Sequence, residues 1–324
     1  MTLEPTGEQQ DLRDTLRKFL ADLAPGESPW AGLVELGLTE IPFASADGGA
    51  DGTVKDAAVV VEELGRVLAG GPYLASIALA GSVLATASDR SALPALASGE
   101  RVAALVSGVP AVRDGAVLRL DGAIDTVLGA DTADVFVVVA GSAIAVVDAA
   151  AAEITPWDSL DLTRPLSRVR FAGVAAEVVG QARPVPATLA LVAAEQLGSA
   201  QRCLDLAVEY ARTREQFGRP IGSFQAIKHR LADLHVAVEL ARSAVLDAVG
   251  RPEDAVAAAT ARVLATRAST TAAEEAIQVH GGIGFTWEHE LHRHFRRAVA
   301  NAQLFTPVDD LLESVAAHRL AALP

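Results

Sequence analysis

Apolar positions along the chain change texture twice. Residues 8–23, EQQDLRDTLRKFLADL, set Leu12, Leu16, Phe19, Leu20 and Leu23 on one stripe. That repeat predicts an amphipathic helix, ended by Pro25 and Gly26. Trp30–Leu38 predicts a second helix. Thr53 is placed to cap a third, Val54–Ala69, with Glu62 and Glu63 on its exposed side. Gly70-Gly71-Pro72 breaks it before another Ala/Leu-rich helix, Leu74–Ala87. From Gly99 the repeat gives way to short β-branched runs between Gly, Asp or Pro turns: Val102–Val106, Val117–Leu120, Val135–Ala140, Ala143–Val147 and Val169–Phe171. Asp114-Gly115 and Asp121-Gly122 are hairpin-type turn signals. From Pro186 helices return as Thr188–Arg212, Phe224–Val249, Ala255–Val279 and Leu304–Leu320, which short loops would pack as a bundle. The pattern predicts an α+β fold, mainly α. Its domains are a helical one over 1–98, a small middle β domain over 99–182 and a C-terminal four-helix bundle over 183–324.

Composition narrows the function classes. A chain of 324 residues with 51% hydrophobic and 21% charged residues is globular and long enough for two or three cores. A net charge of −14 argues against nucleic acid and anionic membranes, which reward clustered Lys and Arg. One or two placed arginines still suffice for a small phosphate-bearing ligand. Cys203 has no partner for an internal disulfide and reads as a buried thiol. The N-terminal MTLEPTGEQQDLRD has no apolar core of a secretory signal, and the longest apolar run, Val135–Val147, is too short to span a bilayer. A cytoplasmic location is expected.

Two stretches carry unusual residue choices: 198–224, GSAQRCLDLAVEYARTREQFGRPIGSF, and 276–287, AIQVHGGIGFTW. Together they resemble the C-terminal helical domain of the acyl-CoA dehydrogenase family, and the helix–β–bundle order resembles that fold along the whole chain. The resemblance implies that Arg214, in the turn Arg214–Gly218, reaches the pyrophosphate of an FAD bound mainly by a neighbouring subunit, and that Phe217 of the same turn belongs to the cofactor-binding set. A guanidinium fork suits two phosphate oxygens. The plainer reading pairs Arg214 with Glu209 or Glu215 on a solvated face. Ser223 is suited to cap the next helix. By resemblance Phe224 and Gln225 lie against the same nucleotide, although Phe224 also begins a packing stripe with Ile227, Leu231, Leu234 and Val238. Gln278, Val279, His280, Gly281 and Gly282 would contact the adenosine and pyrophosphate; one glycine there needs only a helix cap, but two in a row fit close approach of a bulky partner. The cluster Glu288–His294 is one residue short of a His-Glu-x-x-His zinc motif, so it reads as a solvated or interface face and no metal is expected.

Departures from the family pattern set the functional expectation. The family's catalytic Glu would fall in Gln303-Leu304-Phe305-Thr306-Pro307, where Phe305 cannot take a proton, or at Thr188, which cannot either. Glu195 lies ~10 Å further along the same helix at ~1.5 Å per residue, so it reads as a polar contact inside the bundle. The Thr-Glu-Pro and Gly-Ser that hold the flavin ring are replaced by Ser107-Gly108-Val109-Pro110-Ala111-Val112. The Trp-x-Thr expected before the Val135 strand is lost in Ile124–Leu128. This selective loss resembles the non-catalytic subunit of heteromeric α2β2 acyl-CoA dehydrogenases, known among actinobacteria for degrading bulky acyl-CoAs such as sterol side chains. The resemblance implies an FAD-dependent oxidoreductase that introduces an α,β double bond into an acyl-CoA. This chain would complete a catalytic partner's FAD site, and an electron-transfer flavoprotein is a further implied partner. No catalytic residue is assigned in this chain. Two alternatives stay open: a self-sufficient enzyme with Glu195 as relocated base, and a non-enzymatic oligomerisation scaffold.

Overall fold

The computed structural model describes residues 5–321, so the first four residues of the polar N-terminal stretch lie outside it. Its helices are α1 (Gly7–Phe19), α2 (Trp30–Glu35), α3 (Val54–Arg66), α4 (Ser82–Leu84), α5 (Leu93–Ala97), α6 (Pro186–Thr213), α7 (Gln225–Gly250), α8 (Ala255–His280), α9 (Leu291–Gln303) and α10 (Val308–Ala321). The strands are β1 (Ala103–Ser107), β2 (Ala111–Asp114), β3 (Val117–Leu128), β4 (Val135–Ala140), β5 (Ala143–Asp148), β6 (Glu153–Trp157), β7 (Leu166–Gln181), β8 (Glu215–Gln216) and β9 (Arg219–Pro220). The mainly helical α+β class holds. Among the described residues no helix is long and apolar enough to cross a membrane. Contacts divide the chain into two compact units, Met1–Pro25 with Ala58–Ala69 and Leu189–Pro324, and Gly26–Ala57 with Gly70–Thr188.

The second unit carries the sheet. Its strands run in the order β1-β4-β5-β7-β3-β2, with β6 also on β7, and only the β1–β4 pairing is parallel among those described. Phe136 and Phe171 meet edge-to-face at 5.9 Å in its core. Asp114-Gly115 makes the expected hairpin between β2 and β3, and Gly141-Ser142 makes the one between β4 and β5. Asp121-Gly122 does not turn the chain. It sits inside β3, where the register against β7 slips by a bulge, because sixteen-residue β7 pairs along the whole of β3 and overrides the local turn preference. The Ala/Leu-rich run after Pro72 is helical but wound as a π-helix over Tyr73–Gly81, buried throughout. Its Ser76 hydroxyl accepts the N–H of Ala103 at the start of β1.

The first unit is the bundle. The α1 cap is reciprocal: the Thr6 hydroxyl accepts from Gln9 N–H while the Gln9 side chain accepts from Thr6 N–H. Glu62 and Glu63 are buried, contrary to the sequence expectation. Arg13 and Arg242 each donate to Glu62 (3.0 and 2.8 Å) and Arg17 donates to Glu63 (2.9 Å), so α1 and α7 cover the α3 face that a lone amphipathic helix would leave to water. The α3 and α6 backbones touch: a Cβ on Gly198 would lie 1.8 Å from the Glu62 carbonyl oxygen, and one on Gly65 2.1 Å from that of Glu195. Only glycine allows this crossing. The C-terminal region holds one helix more than the periodicity indicates, α9. The last helix starts at Val308 instead of Leu304, because Pro307 disfavours the helical conformation at Thr306 and Phe305 sits at φ 68°. Leu311 of α10 packs on Ala259 and Val263 of α8.

Candidate functional site

The two unusual stretches end at the same end of the bundle unit. Helix α6 stops at Thr213 and the chain enters a two-residue hairpin, Glu215-Gln216 paired with Arg219-Pro220. Its turn is Phe217-Gly218, with φ of 55° and 74°. Positive φ at both central residues is the conformation that suits the twist of a hairpin, but it costs a phenylalanine about 1–2 kcal/mol. The strained side chain is also 92% exposed. It meets Phe224 edge-on at 6.1 Å, and the Arg219 guanidinium lies 4.0 Å over the Phe224 ring. Arg214 is exposed and its side chain forms no ion pair among the described residues, with neither Glu209 nor Glu215. Gln225 is exposed at the start of α7. Ser223 is not the cap: Phe224 occupies that position, and the Ser223 hydroxyl is buried with no hydrogen-bond partner among the described residues.

Helix α8 ends with Gln278 exposed and with Val279 and His280 buried, followed by exposed Gly281 and Gly282. The His280 ring stacks on Tyr210 of α6, centroids 4.2 Å apart, which brings the two loops together. Gly281 has φ 64°, a conformation favouring glycine. Gly282 is different. Its φ lies outside the left-handed region and a Cβ there would meet nothing within 4 Å, so nothing described in this chain requires a glycine. Beyond it Ile283, Phe285 and Trp287 point outwards at 45, 82 and 63% exposure, while Gly284 packs against His280. Arg296 lies 4.7 Å over the Trp287 ring.

The Glu288–His294 cluster separates. His289 meets His280 at 4.6 Å and His292 meets Trp287 at 4.7 Å. His294 is buried, with Nδ1 2.8 Å from the Ser199 hydroxyl and Nε2 3.6 Å from Glu290. Among the described residues no three His, Cys, Asp or Glu side chains gather as for a metal ion. Burial lowers the proton affinity of His294, with Glu290 opposing. Partial burial works against the charged form of Glu290, yet the nearby His294 ring and the hydrogen bond from Arg202 (2.7 Å) hold its carboxyl down to about 2. Burial pushes the Cys203 thiol well up, so it is an inert neutral side chain.

Deeper in the bundle Glu195 is 2% exposed and accepts from Arg297 (2.5 Å) and Asn301 (2.7 Å). Fully buried Arg262 donates to Gln196, to the Thr266 hydroxyl and to the carbonyls of Asn301 and Leu304, which ties down the turn after α9. That turn carries Phe305 at φ 68°. Thr188 spends its hydroxyl on the Val185 carbonyl, 2.7 Å away. In the other unit Val109 is buried, whereas Ser107, Gly108 and Pro110 to Val112 are exposed. Tyr210, Arg219 and Trp287 lie within the two motifs, yet the resemblance gives them no role. The outward row Ile283, Phe285, Trp287, apolar at every second position with no strand to form, is the signal that marks it.

Residues 188–304 match the model of the acyl-CoA dehydrogenase C-terminal domain, and residues 6–100 that of the N-terminal domain. The acyl-CoA dehydrogenase IpdE2 of Mycobacterium tuberculosis is 39% identical, over 96% of this chain and 96% of its own. Among solved structures, a chain of the ChsE4-ChsE5 complex of the same organism has a TM-score of 0.90 at 28% identity, each chain covered to 100%. A variant of the Tcur3481-Tcur3483 steroid acyl-CoA dehydrogenase has 0.88 at 25%, covering 97% of this chain and 99% of its own.

Proposed function

The chain belongs to the acyl-CoA dehydrogenase family, whose cofactor is FAD, and on that premise we propose that it is the non-catalytic subunit of a heteromeric acyl-CoA dehydrogenase, completing a partner's FAD site. The observation that carries this reading is the exposed end of the bundle. An Arg214 guanidinium without an ion pair among the described residues, a strained and outward Phe217, and a glycine at 282 that no described contact requires all fit a bulky anionic group approaching from outside the chain. The fit does not extend to the flavin ring. Residues 107–112 offer one exposed hydroxyl and no carboxylate, too little to hold the ring.

Bound FAD supplies the acceptor for the hydride leaving the β-carbon of an acyl-CoA. This chain's own residues bind and orient. Arg214 holds the pyrophosphate by charge-assisted hydrogen bonds. Phe217, Phe224, Gln225 and the exposed Gln278 flank the nucleotide. Gly281 and Gly282 let it lie against the backbone, while Val279 and His280 support that backbone from beneath. Proton abstraction falls to the partner, since Phe305 and Thr188 have no basic group and Glu195 is engaged by Arg297 and Asn301. The likeness to a steroid enzyme favours a bulky acyl group as substrate. An α2β2 assembly, a cytoplasmic location and re-oxidation by an electron-transfer flavoprotein complete the reading.

Co-expression tests it. Purified alone the chain is expected to be colourless; co-purified with a family member that keeps the flavin-ring motif and the catalytic Glu, it is expected in a yellow complex of both chains. A yellow, active preparation of this chain alone would overturn the proposal in favour of a self-sufficient enzyme.

A further inference from the structure

Both exposed loops rest on one residue. Tyr210 lies in the last turn of α6, and its carbonyl accepts the Arg214 N–H at 2.8 Å. The Arg214 carbonyl in turn accepts the Ile221 N–H at 2.8 Å, which closes the first loop. The Tyr210 ring stacks on His280 with 23° between planes, and His280 is the last residue of α8, from which the second loop departs. The His280 ring is itself fixed. Its Nδ1 lies 2.8 Å from the Ala276 carbonyl oxygen, so that nitrogen carries a proton and donates, and the ring stacks on Tyr210 and meets His289 at a steep angle.

We propose that Tyr210 and His280 are a positioning pair that holds the Arg214 loop and the Gly281-Gly282 loop at a fixed separation, and that this link opens on mild acidification. Which ligand the loops then grip rests on the function proposed above; the link itself does not. An offset aromatic stack has the right strength for the task, because it adds to neither loop's own fold and is lost as a unit when either ring moves.

The pH response follows from what surrounds His280: Tyr210 from α6, the Ala276 carbonyl of its own helix, and His289 and Glu290 from the segment leading into α9. Burial holds its proton affinity below the ordinary 6.5; the Ala276 carbonyl opposes this, His289 adds to it, and Glu290 opposes it. A group whose folded value is depressed favours the neutral state of the fold. The link is therefore complete above the ordinary value and weakens as pH falls beneath it.

Hydrogen exchange on the full chain tests the pair without any flavin. Tyr210→Ala is expected to speed exchange about 3–10-fold, the factor an aromatic pair supplies, at amides of both 214–222 and 281–289. The buried turns around Val238 in α7 should not respond. Tyr210→Phe keeps the ring and should match the wild type. His280→Phe keeps a stack but removes the titrating nitrogen, so its loops should stay protected at pH 5.5, where those of the wild type, corrected for intrinsic rates, open. A Tyr210→Ala effect confined to one loop would overturn the pairing. A wild-type pH response surviving in His280→Phe would overturn the switch. Neither result bears on whether the loops bind FAD, which flavin retention in the two-subunit complex reads separately.

Discussion

In the interior of the bundle Arg297 is almost fully buried against Glu195, and Arg262 is buried among oxygens of α6, α8 and the α9 turn. At the end of the same bundle Arg214 is exposed with no ion pair among the described residues, close in sequence to a phenylalanine that is 92% exposed. The glycines divide the same way. Gly198 is demanded by a backbone crossing inside the chain, whereas a side chain at Gly282 would enter open space. One region is complete by itself. The other has the composition of a surface awaiting a partner: arginine, aromatic rings and bare backbone. Residue type alone does not distinguish them; what faces each residue does.

The largest expected effect lies in the interior. Glu195→Gln takes the carboxylate from buried Arg297 and should lower stability by ~3–5 kcal/mol, read by denaturant unfolding. Gly198→Ala forces α3 and α6 apart and should cost about 1–3 kcal/mol. If Glu195→Gln instead left stability intact and abolished substrate reduction of flavin in the complex, Glu195 would be a base and the contrast would fail. At the exposed end the cost moves from folding to binding. Arg214→Ala should weaken flavin retention by the two-subunit complex by ~1.5–3 kcal/mol while the unfolding midpoint of the chain alone stays put.

Acid sharpens the interior half of the contrast. His294 is buried and held below the ordinary 6.5, so the unfolded chain binds protons more readily as pH drops beneath that value. Stability should be full above about 6.5 and fall below it, by up to ~1.4 kcal/mol per pH unit for this group. His294→Gln should shallow that slope by one group's share, with His280 and His292 providing the remainder, in denaturant titrations at pH 7.5 and 5.5. The smallest effect on folding belongs to Gly282→Ala. Calorimetry on the isolated chain should show a change within ~0.5 kcal/mol, as for a surface site. Loss of flavin from the complex would still mark the position as one shaped by an outside contact, and retention would remove it from the site.

Several features were legible without coordinates because they depend on neighbours in sequence. The 3.6-residue stripes of α1 and α7, the turns at Gly115 and Gly141, and the two long motifs follow from local periodicity and backbone preference. So did the absence of a basic group at Phe305 and Thr188, which is a matter of residue identity. Other features depend on what the chain brings alongside. Glu62 and Glu63 look solvent-facing on α3 until α1 and α7 deliver three arginines to them. Asp121-Gly122 is a turn until β7 pairs across it. The three histidines of Glu288–His294 look like one cluster on paper, yet tertiary packing sends His289 against His280, His294 into the core beside Ser199 and His292 against Trp287. Sequence determined which elements form and which chemical groups the chain possesses, because those are set by covalent order and short-range sterics. The fold alone decided which charges are neutralised within the chain and which are left facing outwards, because burial and Coulomb pairing act between residues that sequence keeps far apart.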